Sequence, residues 1–295
     1  MLSTSRLSFR WSERTPVYAL AAIWALGVLL PTVISVFLSV LGARGVHIRW
    51  TVSLDTYRVM FESGRWEVVV RTMGVATLIS TICLICGFPF ALWLAKRVKS
   101  PSLLQLIWMA LTIPFFLDAS ARTIVWRAVL GTTGLVNATL LKLHWIHSPI
   151  EWLLFSDFSV YLGLIGPYFP NMVMPIYLAI VLIDNDLLQA SADLGASPAA
   201  TLRHVVIPLA MPGIVAGTIF TFVPVMGDSV VPLILGGGKK EYLADAVMSL
   251  STSMNYSGAA GFATIMLTVV AVLLASLWFA RHRAMASRIG AGAAR

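Results

Sequence analysis

Long apolar runs separated by short polar segments make up most of the chain. A helix needs roughly 20 apolar residues to cross about 30 Å of hydrocarbon. Six stretches meet or approach that length, so the pattern predicts six membrane-spanning helices. In chain order they are Val17–Leu41, Val68–Ala95, Leu103–Leu130, Phe158–Ile183, Met211–Leu235 and Ala259–Ala280. The polar segment Asp118–Arg122 interrupts the third, which we interpret as one span with a break.

The amino-acid composition indicates that most of the molecule is surrounded by lipid. Of the 295 residues, 58% are hydrophobic and 12% are charged, whereas soluble domains are about a quarter charged. The first apolar run is about twice as long as the core of a signal peptide, and no small-x-small cleavage site follows it. We therefore expect it to remain as a helix, and the chain to be an all-α polytopic membrane protein.

The distribution of charge predicts an orientation, because Lys and Arg accumulate in short cytoplasmic loops. The loop Lys96–Lys99 and the C-terminal tail carry no acidic residue, while loops on the other side mix Arg with Asp and Glu. We expect cytoplasmic tails at residues 1–16 and 282–295 and a six-helix membrane domain at 17–281. The net charge of +8 then reflects topology and contact with anionic lipid, without a nucleic-acid partner.

Two connections on the predicted outer side are long enough to hold structure of their own. The loop Gly42–Glu67 favours a short helix around Leu54–Phe61. The longest connection is Gly131–Asp157, in which Trp145 and Trp152 are typical of anchors at a membrane interface.

Two short motifs are interpreted as structural. Cys83 and Cys86 lie in the second span, where a redox or metal role would need further ligands, so we expect them to pack between helices. The glycine-lysine segment at residues 236–240 lacks the spacing of a phosphate-binding loop, and we expect a flexible basic loop there. The histidines are scattered, and no nucleophile motif is visible. We therefore predict no catalytic residue, no metal and no cofactor in this chain.

The polar segment between the fourth and fifth spans predicts two short helices joined by a tight turn. Asp184 or Asp186 can cap the first helix, and Gly195 suits the left-handed position that ends it. Ser197 can cap the second helix, with Pro198 at its first position, where a missing N–H costs nothing.

We call residues 184–208 the polar hairpin and place it on the cytoplasmic side. Pro208 and Pro212 are expected to end its second helix before the next span begins. Its many alanines and serines would let a partner approach closely, and its leucines would supply apolar contacts.

The polar hairpin resembles the EAA motif of binding-protein-dependent ABC importer permeases. Gln189-Ala190-Ser191 is followed after three residues by Gly195 and after nine more by Val205-x-Ile207-Pro208, about 100 residues from the C-terminus. The resemblance implies a docking loop for a cytoplasmic ATPase. The residues it implicates are Gln189, Ala190, Ser191, Asp193, Leu194, Gly195, Ser197 and Pro198.

Further segments resemble the first-permease members of the spermidine/putrescine-type group, over roughly residues 50–280. They are Ser53-Leu54-Asp55-x-Tyr57, Gly87-Phe88-Pro89-Phe90-Ala91, Trp126-x3-Leu130-Gly131-x2-Gly134-x2-Asn137, Tyr168-Phe169-Pro170-x4-Pro175-Ile176-Tyr177 and Gly227-Asp228-x3-Pro232-x2-Leu235-Gly236-Gly237. The resemblance implies a type I importer fold in a bacterial inner membrane. It also implies four kinds of partner: a second permease, two ATPase subunits that bind the ATP, a periplasmic or lipid-anchored solute-binding protein, and membrane lipid.

The motif departs from the family pattern at two positions. Gln189 stands where the family has Glu, and Ser191 stands where it has the second Ala. Gln189 can form hydrogen bonds but no ion pair, so a charge-assisted contact with an ATPase arginine is not available to it. A change in the ATPase or a contact through Asp193 could compensate.

Ionisable residues within spans point to function, since burying them in lipid is costly. Asp118 lies four residues before Arg122, so either a local ion pair hides both charges or Asp118 faces a pathway. Asp228 follows a run that suggests a broken helix, which would expose it to a cavity or leave it packed. Aromatic and amide residues nearby could bind an amine or could pack between helices. They are Trp126, Tyr168, Phe169 and Asn171.

The favoured hypothesis is an ABC importer permease for a polyamine, with a phosphonate, opine, carboxylate or amino-acid derivative as alternative solutes. An ion-coupled secondary transporter would need an internal repeat, which the sequence does not show. A membrane-embedded enzyme would need a catalytic motif. Both are disfavoured.

Overall fold

The computed structural model describes residues 15–44 and 47–293. The predicted N-terminal tail therefore lies almost wholly outside the described residues, and the predicted C-terminal tail continues as helix to Ala293. The helices are α1 (Thr15–Trp24), α2 (Leu30–Ser39), α3 (Asp55–Glu62), α4 (Trp66–Lys96), α5 (Pro101–Phe116), α6 (Ala119–Leu130), α7 (Leu135–Lys142), α8 (Asp157–Val181), α9 (Asn185–Asp193), α10 (Pro198–Thr201), α11 (Ile207–Met226), α12 (Val230–Leu235), α13 (Leu243–Thr252) and α14 (Tyr256–Ala293). Two strands, β1 (Leu41–Arg44) and β2 (His47–Val52), form an antiparallel ribbon that was not predicted.

Six helical stretches in the described part of the chain are long and apolar enough to cross a membrane, which confirms the predicted number. They are Leu20–Ser39, Trp66–Lys96, Ala119–Lys142, Asp157–Val181, Pro198–Met226 and Tyr256–Ser276. The third differs from the prediction, because its apolar first half, α5, is a separate shorter helix.

The break between α5 and α6 shows how two charges are accommodated. Asp118 caps α6, its Oδ2 accepting hydrogen bonds from the backbone N–H of Ser120 at 2.8 Å and of Ala121 at 3.1 Å. Arg122 Nη1 donates to the carbonyl of Pro114 near the end of α5 at 3.0 Å. The alternative of a local Asp118–Arg122 ion pair was therefore wrong, since each charge satisfies backbone groups of a different helix end.

Proline does not end the second helix of the polar hairpin, contrary to the prediction. The chain stays helical from Pro198 to Met226, and Pro208 is preceded by a π-helical turn at Leu202–Val206. In that turn the N–H of Ile207 donates to the carbonyl of Leu202. The wider turn accommodates a residue that has no N–H and would clash with the carbonyl four positions before it.

The core lies where α4, α8 and α11 pack together. Ile79, Met172 and Ile176 are fully buried there, and so is Cys83, while Cys86 faces outward. Glycines on α11 bring its backbone close to α8: a Cβ at position 213 would lie 2.5 Å from the Pro175 carbonyl oxygen. These three closely packed helices therefore hold the candidate functional residues in position.

The outer connections also contain structure. The helix α3 confirms the predicted helix, and Tyr57 on it donates to Ser39 Oγ at the end of α2 at 2.8 Å. In the longest connection, Asn137 is buried and its side chain bonds Gly131 and Ile150. Trp145 and Trp152 are exposed there, and their anchoring role stays a prediction.

Candidate functional site

The caps predicted for the polar hairpin are confirmed. Asp184 Oδ1 accepts from the N–H of Asp186 at 3.1 Å and caps α9, and Gly195 has a φ of +79°. Ser197 Oγ accepts from Ala200 N–H at 3.3 Å, with Pro198 at the first helical position. The positive φ at Gly195 is the left-handed conformation that lets α9 stop and the chain reverse within four residues.

A hydrogen bond that the sequence did not suggest ties the two arms of the hairpin together. The hydroxyls of Ser191 on α9 and Thr201 on α10 lie 2.9 Å apart, and both residues are partly buried. The backbone N–H of Ala196 also donates to the carbonyl of Ser191 at 3.1 Å. Ser191, one of the two departures from the motif, is therefore the residue that joins both arms.

The tip of the hairpin presents an exposed apolar residue among small ones. Leu194 is 89% exposed, and Leu187, about two turns earlier on α9, is 51% exposed. The other residues implicated by the motif are exposed as well, apart from partly buried Ser191: Gln189, Ala190, Asp193, Gly195, Ser197 and Pro198. A thin hairpin with a projecting leucine can insert into a groove on another protein.

Lys96 fixes the base of the hairpin to the core. It ends α4, and its Nζ donates to the carbonyl of Ile183 and to Asn185 Oδ1, the latter at 3.1 Å. The sequence indicated Lys96 only as a cytoplasmic charge. Its contact partners are 87 and 89 positions away, so only the packing of α4 against α8 reveals this role.

The second candidate lies at a break in the fifth span. The helix α11 ends at Met226 and α12 begins at Val230, and Asp228 lies between them. Asp228 Oδ1 accepts from Val231 N–H at 3.0 Å, and Oδ2 accepts from the Tyr168 hydroxyl at 2.9 Å. The Tyr168 oxygen is also 3.4 Å from the Pro224 carbonyl oxygen. The predicted broken helix at Asp228 is confirmed.

This pair lies near the middle of the fourth span, Asp157–Val181. The helices α8 and α11 run antiparallel, and at one end Ser159 Oγ donates to the Leu235 carbonyl at 3.0 Å. Tyr168 is roughly 17 Å along α8 from its first residue, at 1.5 Å per residue. That is about half of a hydrocarbon core of about 30 Å. A carboxylate at this depth is costly unless it is partnered, and it marks a functional candidate.

The structure does not bring the other predicted pathway residues to Asp228 by direct contact. Asn171 Nδ2 donates to the Phe220 carbonyl at 3.1 Å, which joins α8 to α11. The Phe169 ring packs 5.7 Å from the Phe90 ring, centroid to centroid. Trp126 packs against the core, and Asp118 is exposed as the cap of α6.

Basic groups close to the connection between α12 and α13 are engaged by protein acceptors. Arg71 Nη1 donates to the Glu241 carbonyl at 3.1 Å, Lys239 Nζ donates to the Phe155 carbonyl at 2.9 Å, and Lys240 forms an ion pair with Asp157. A Cβ at Gly237 would lie 2.5 Å from the Phe155 ring. The glycine-lysine segment is therefore anchored, which corrects the expectation of a flexible loop.

Asp245, at the start of α13, adds a second carboxyl group in this region. Burial raises the pKa of Asp245 to about 6, and the negative charges of Glu241 and Asp228 add to that increase. The N–H of Tyr242 donates to Asp245 Oδ2 at 3.3 Å, and this hydrogen bond acts in the opposite direction by lowering the pKa of Asp245. The charge of Asp228 thus acts on Asp245, in a region that also holds the engaged bases Arg71, Lys239 and Lys240.

Comparison with known proteins places these features in a family. Residues 87–290 match the family described as binding-protein-dependent transport system inner membrane component. The spermidine/putrescine transport system permease protein PotB of Salmonella typhimurium (strain SL1344) is 31% identical over 82% of this chain and 83% of its own length. The PotB protein of Haemophilus influenzae is 30% identical over 87% of this chain and 88% of its own.

A more distant relative and a solved structure complete the comparison. The putative 2-aminoethylphosphonate transport system permease protein PhnU of Salmonella typhimurium (strain LT2) is 26% identical over 81% of this chain and 82% of its own. A chain of the bacterial alginate ABC transporter, solved with an alginate-bound periplasmic protein, superposes with a TM-score of 0.68. It is 18% identical, over 94% of this chain and 95% of that one, and so shows a common fold. With the family match and six apolar helices, the chain belongs to the binding-protein-dependent transport system inner membrane components, the multi-pass permeases of ABC importers.

Proposed function

We propose that this permease subunit imports a polyamine such as spermidine or putrescine, with energy from ATP bound by partner ATPase subunits. A second permease would complete the translocation pathway, and a solute-binding protein would deliver the solute from outside. The relatives named as spermidine/putrescine permeases support the substrate class. The observation that carries the proposal in this chain is the Asp228 carboxylate at a helix break, hydrogen-bonded to the middle of the fourth span.

A polyamine is an extended cation with several ammonium groups, and the described charges suit it. The Asp228 and Asp245 carboxyls lie within electrostatic range of each other, while Arg71, Lys239 and Lys240 are engaged by other groups. An ammonium group near Asp228 would gain Coulomb attraction in a medium of low dielectric constant. The Tyr168 ring beside it offers a face for cation–π contact.

The polar hairpin is proposed to transmit the energy. Its tip would enter a groove on an ATPase, and closure of two ATPases around ATP would draw the hairpins of the two permeases together. Because the helix that leaves the hairpin is continuous from Pro198 to Met226, movement of the hairpin would reach the break at Asp228 directly. The pathway would then open outward to receive solute and reopen inward after hydrolysis.

This mechanism requires the hairpin and both termini on the cytoplasmic side. Lys96, on the acid-free loop after α4, bonds the base of the hairpin and so lies at the same end of the molecule. The connections that mix Lys with Asp and Glu, at residues 131–157 and after Leu235, meet at the other end, where the Phe155 N–H donates to the Leu235 carbonyl at 2.9 Å. The positive-inside rule therefore supports this orientation.

A zwitterionic phosphonate is the second candidate solute. The relative named as a putative 2-aminoethylphosphonate permease supports it. In the described structure, Arg122 Nε is buried without a hydrogen-bond partner, and an anionic group that reached it would satisfy this donor. Competition by phosphonate against polyamine uptake separates the two candidates.

Uptake by the reconstituted complex tests the proposed function. The chain is co-expressed with candidate partner subunits and reconstituted into vesicles, and uptake of radiolabelled putrescine is measured with the binding protein outside and ATP at the ATPase side. We expect uptake that requires ATP and all subunits. Uptake driven by a proton or sodium gradient without any ATPase would refute the ABC mechanism. A complex that takes up a phosphonate but no polyamine would refute the proposed substrate class.

The docking role of the hairpin is tested by changing its tip. We predict that Leu194→Glu reduces ATPase association by tenfold or more, because the buried interface would receive a charge. Leu54→Glu is the matched control, since Leu54 is an exposed leucine (68%) on the other side of the molecule. Co-purification of the ATPase with each variant is the measurement. Equal recovery with Leu194→Glu and the parent would show that the tip does not dock.

A further inference from the structure

We propose that the Tyr168 hydroxyl donates to the Asp228 carboxylate while the pathway holds no solute. An ammonium group of the solute must displace this hydroxyl in order to bind in the pathway. The inference rests on the proposed function and assigns Tyr168 a role in specificity. It follows from a hydrogen bond between partly buried residues of the fourth span and of the break in the fifth.

Each oxygen of the Asp228 carboxylate accepts one hydrogen bond in this structure. Oδ1 accepts from Val231 N–H at 3.0 Å, which caps α12, and Oδ2 accepts from Tyr168 at 2.9 Å. The two bonds differ in kind. The Val231 bond holds local backbone geometry three residues away, whereas the Tyr168 bond crosses between helices and can be exchanged without unfolding α12.

Between transport cycles, a carboxylate within the membrane needs a hydrogen-bond donor that leaves when solute arrives. An unpartnered carboxylate in a low-dielectric site costs several kcal/mol, so the empty pathway requires a donor. A phenol satisfies the oxygen without cancelling its charge. In the bond from Tyr168 only the acceptor is charged, whereas an incoming ammonium group brings a full positive charge and adds Coulomb attraction to its hydrogen bond, and it therefore replaces the phenol. A neutral hydroxyl or amide has no such advantage over Tyr168.

The released phenol also has an acceptor within reach. The Tyr168 oxygen is 3.4 Å from the carbonyl oxygen of Pro224 in the last turn of α11, which accepts from the Gly227 N–H at 3.1 Å and retains a second lone pair. A small rotation would move the hydroxyl from Asp228 to that carbonyl. The buried phenol then keeps a hydrogen bond while solute occupies the carboxylate.

Two substitutions separate charge from competition. Asp228→Asn retains an oxygen at the Oδ1 position that can cap α12, while its Nδ2 can donate to the Tyr168 oxygen, so it removes the charge and reverses the hydrogen bond with Tyr168. We expect it to raise the KM for putrescine uptake by about tenfold or more while the complex still purifies intact. Tyr168→Phe removes the competing hydroxyl and retains the ring, and we expect it to lower the KM about fivefold, the effect of one net hydrogen bond.

The control and the overturning result use the same uptake assay. Tyr177→Phe removes a hydroxyl from the same helix, where the ring packs edge-on against Trp108 at 4.8 Å, and it should keep the parent KM. If the parent transports putrescine but Tyr168→Phe leaves KM unchanged or raises it, the displacement model is wrong and the bond is structural. If the parent does not transport polyamines at all, the proposed function fails instead.

Discussion

At the scale of single residues, the hydroxyl pair in the polar hairpin explains one departure from the family motif. Ser191 and Thr201 join the arms of the hairpin at 2.9 Å, where an alanine at position 191 could not. We predict that Ser191→Ala and Thr201→Val each increase local opening of the hairpin about fivefold, as for one hydrogen bond worth about 1 kcal/mol. Hydrogen exchange of the backbone amides of residues 190–201 measures that opening.

The double variant provides the check on this interpretation. Each single change leaves one partly buried hydroxyl without its partner, whereas the double change removes both groups together. The double variant should therefore open less than the sum of the single effects predicts. Strictly additive effects would mean that the two hydroxyls do not interact in solution.

The residues that sequence could identify here are those whose chemistry is local. Asp184, Gly195 and Ser197 act on backbone groups two or three positions away, so capping rules predicted them correctly. Lys96 and Thr201 act on residues that only tertiary packing brings near, and they were missed. For Asp118 and Arg122 the spacing suggested an ion pair, but the break between α5 and α6 offered stronger backbone partners.

At the scale of elements, close approach of α8 and α11 depends on a residue without a side chain. A Cβ at position 213 would lie 2.5 Å from both the Pro175 carbonyl oxygen and the Ala179 Cβ. We predict that Gly213→Ala destabilises the chain by about 1–3 kcal/mol, the usual cost of overpacking. Thermal unfolding in detergent, followed by tryptophan fluorescence, measures the loss.

A second glycine on the partner helix supplies the comparison. At Gly166, in the middle of α8, a Cβ would meet nothing within 4 Å in this chain. Gly166→Ala should therefore leave stability unchanged or raise it by up to about 1 kcal/mol, because alanine favours helix. Equal effects at both positions would show that the α8–α11 contact is looser than the structure indicates.

Hydrophobic length predicted how many spans there are, and local capping predicted the hairpin, but neither located every break. A break depends on where the released carbonyls and N–H groups find partners, and those partners are distant: Arg122 reaches the Pro114 carbonyl, and Tyr168 reaches Asp228. The π-helical turn before Pro208 likewise accommodates a residue that local rules treat as a helix end. The strand β2 does carry the alternating pattern of a strand, with Ile48, Trp50 and Val52 separated by single polar residues, and the prediction did not use it.

At the scale of the whole molecule, burial divides the spans into two groups. About two fifths of the most apolar window is buried in the spans containing α4 and α8 (39% each), against 0% in the first span. The core spans hold the candidate pathway, while most large apolar side chains of the first span are exposed and its second half, α2, packs on one side against α14. Lipid or the proposed second permease would cover that surface.

Orientation connects all of these features, because docking and solute entry must occur on opposite sides of the membrane. We predict that a cysteine at Leu194 (Leu194→Cys) reacts with a membrane-impermeant maleimide only in inside-out vesicles, and that Leu54→Cys reacts only in intact spheroplasts. Both leucines are exposed, at 89% and 68%, so access rather than burial decides the result. The native cysteines lie within α4, and labelling of the parent chain measures how much maleimide reacts with them. Labelling of Leu194→Cys from outside would place the hairpin beyond the reach of any cytoplasmic ATPase and would refute both the orientation and the coupling mechanism.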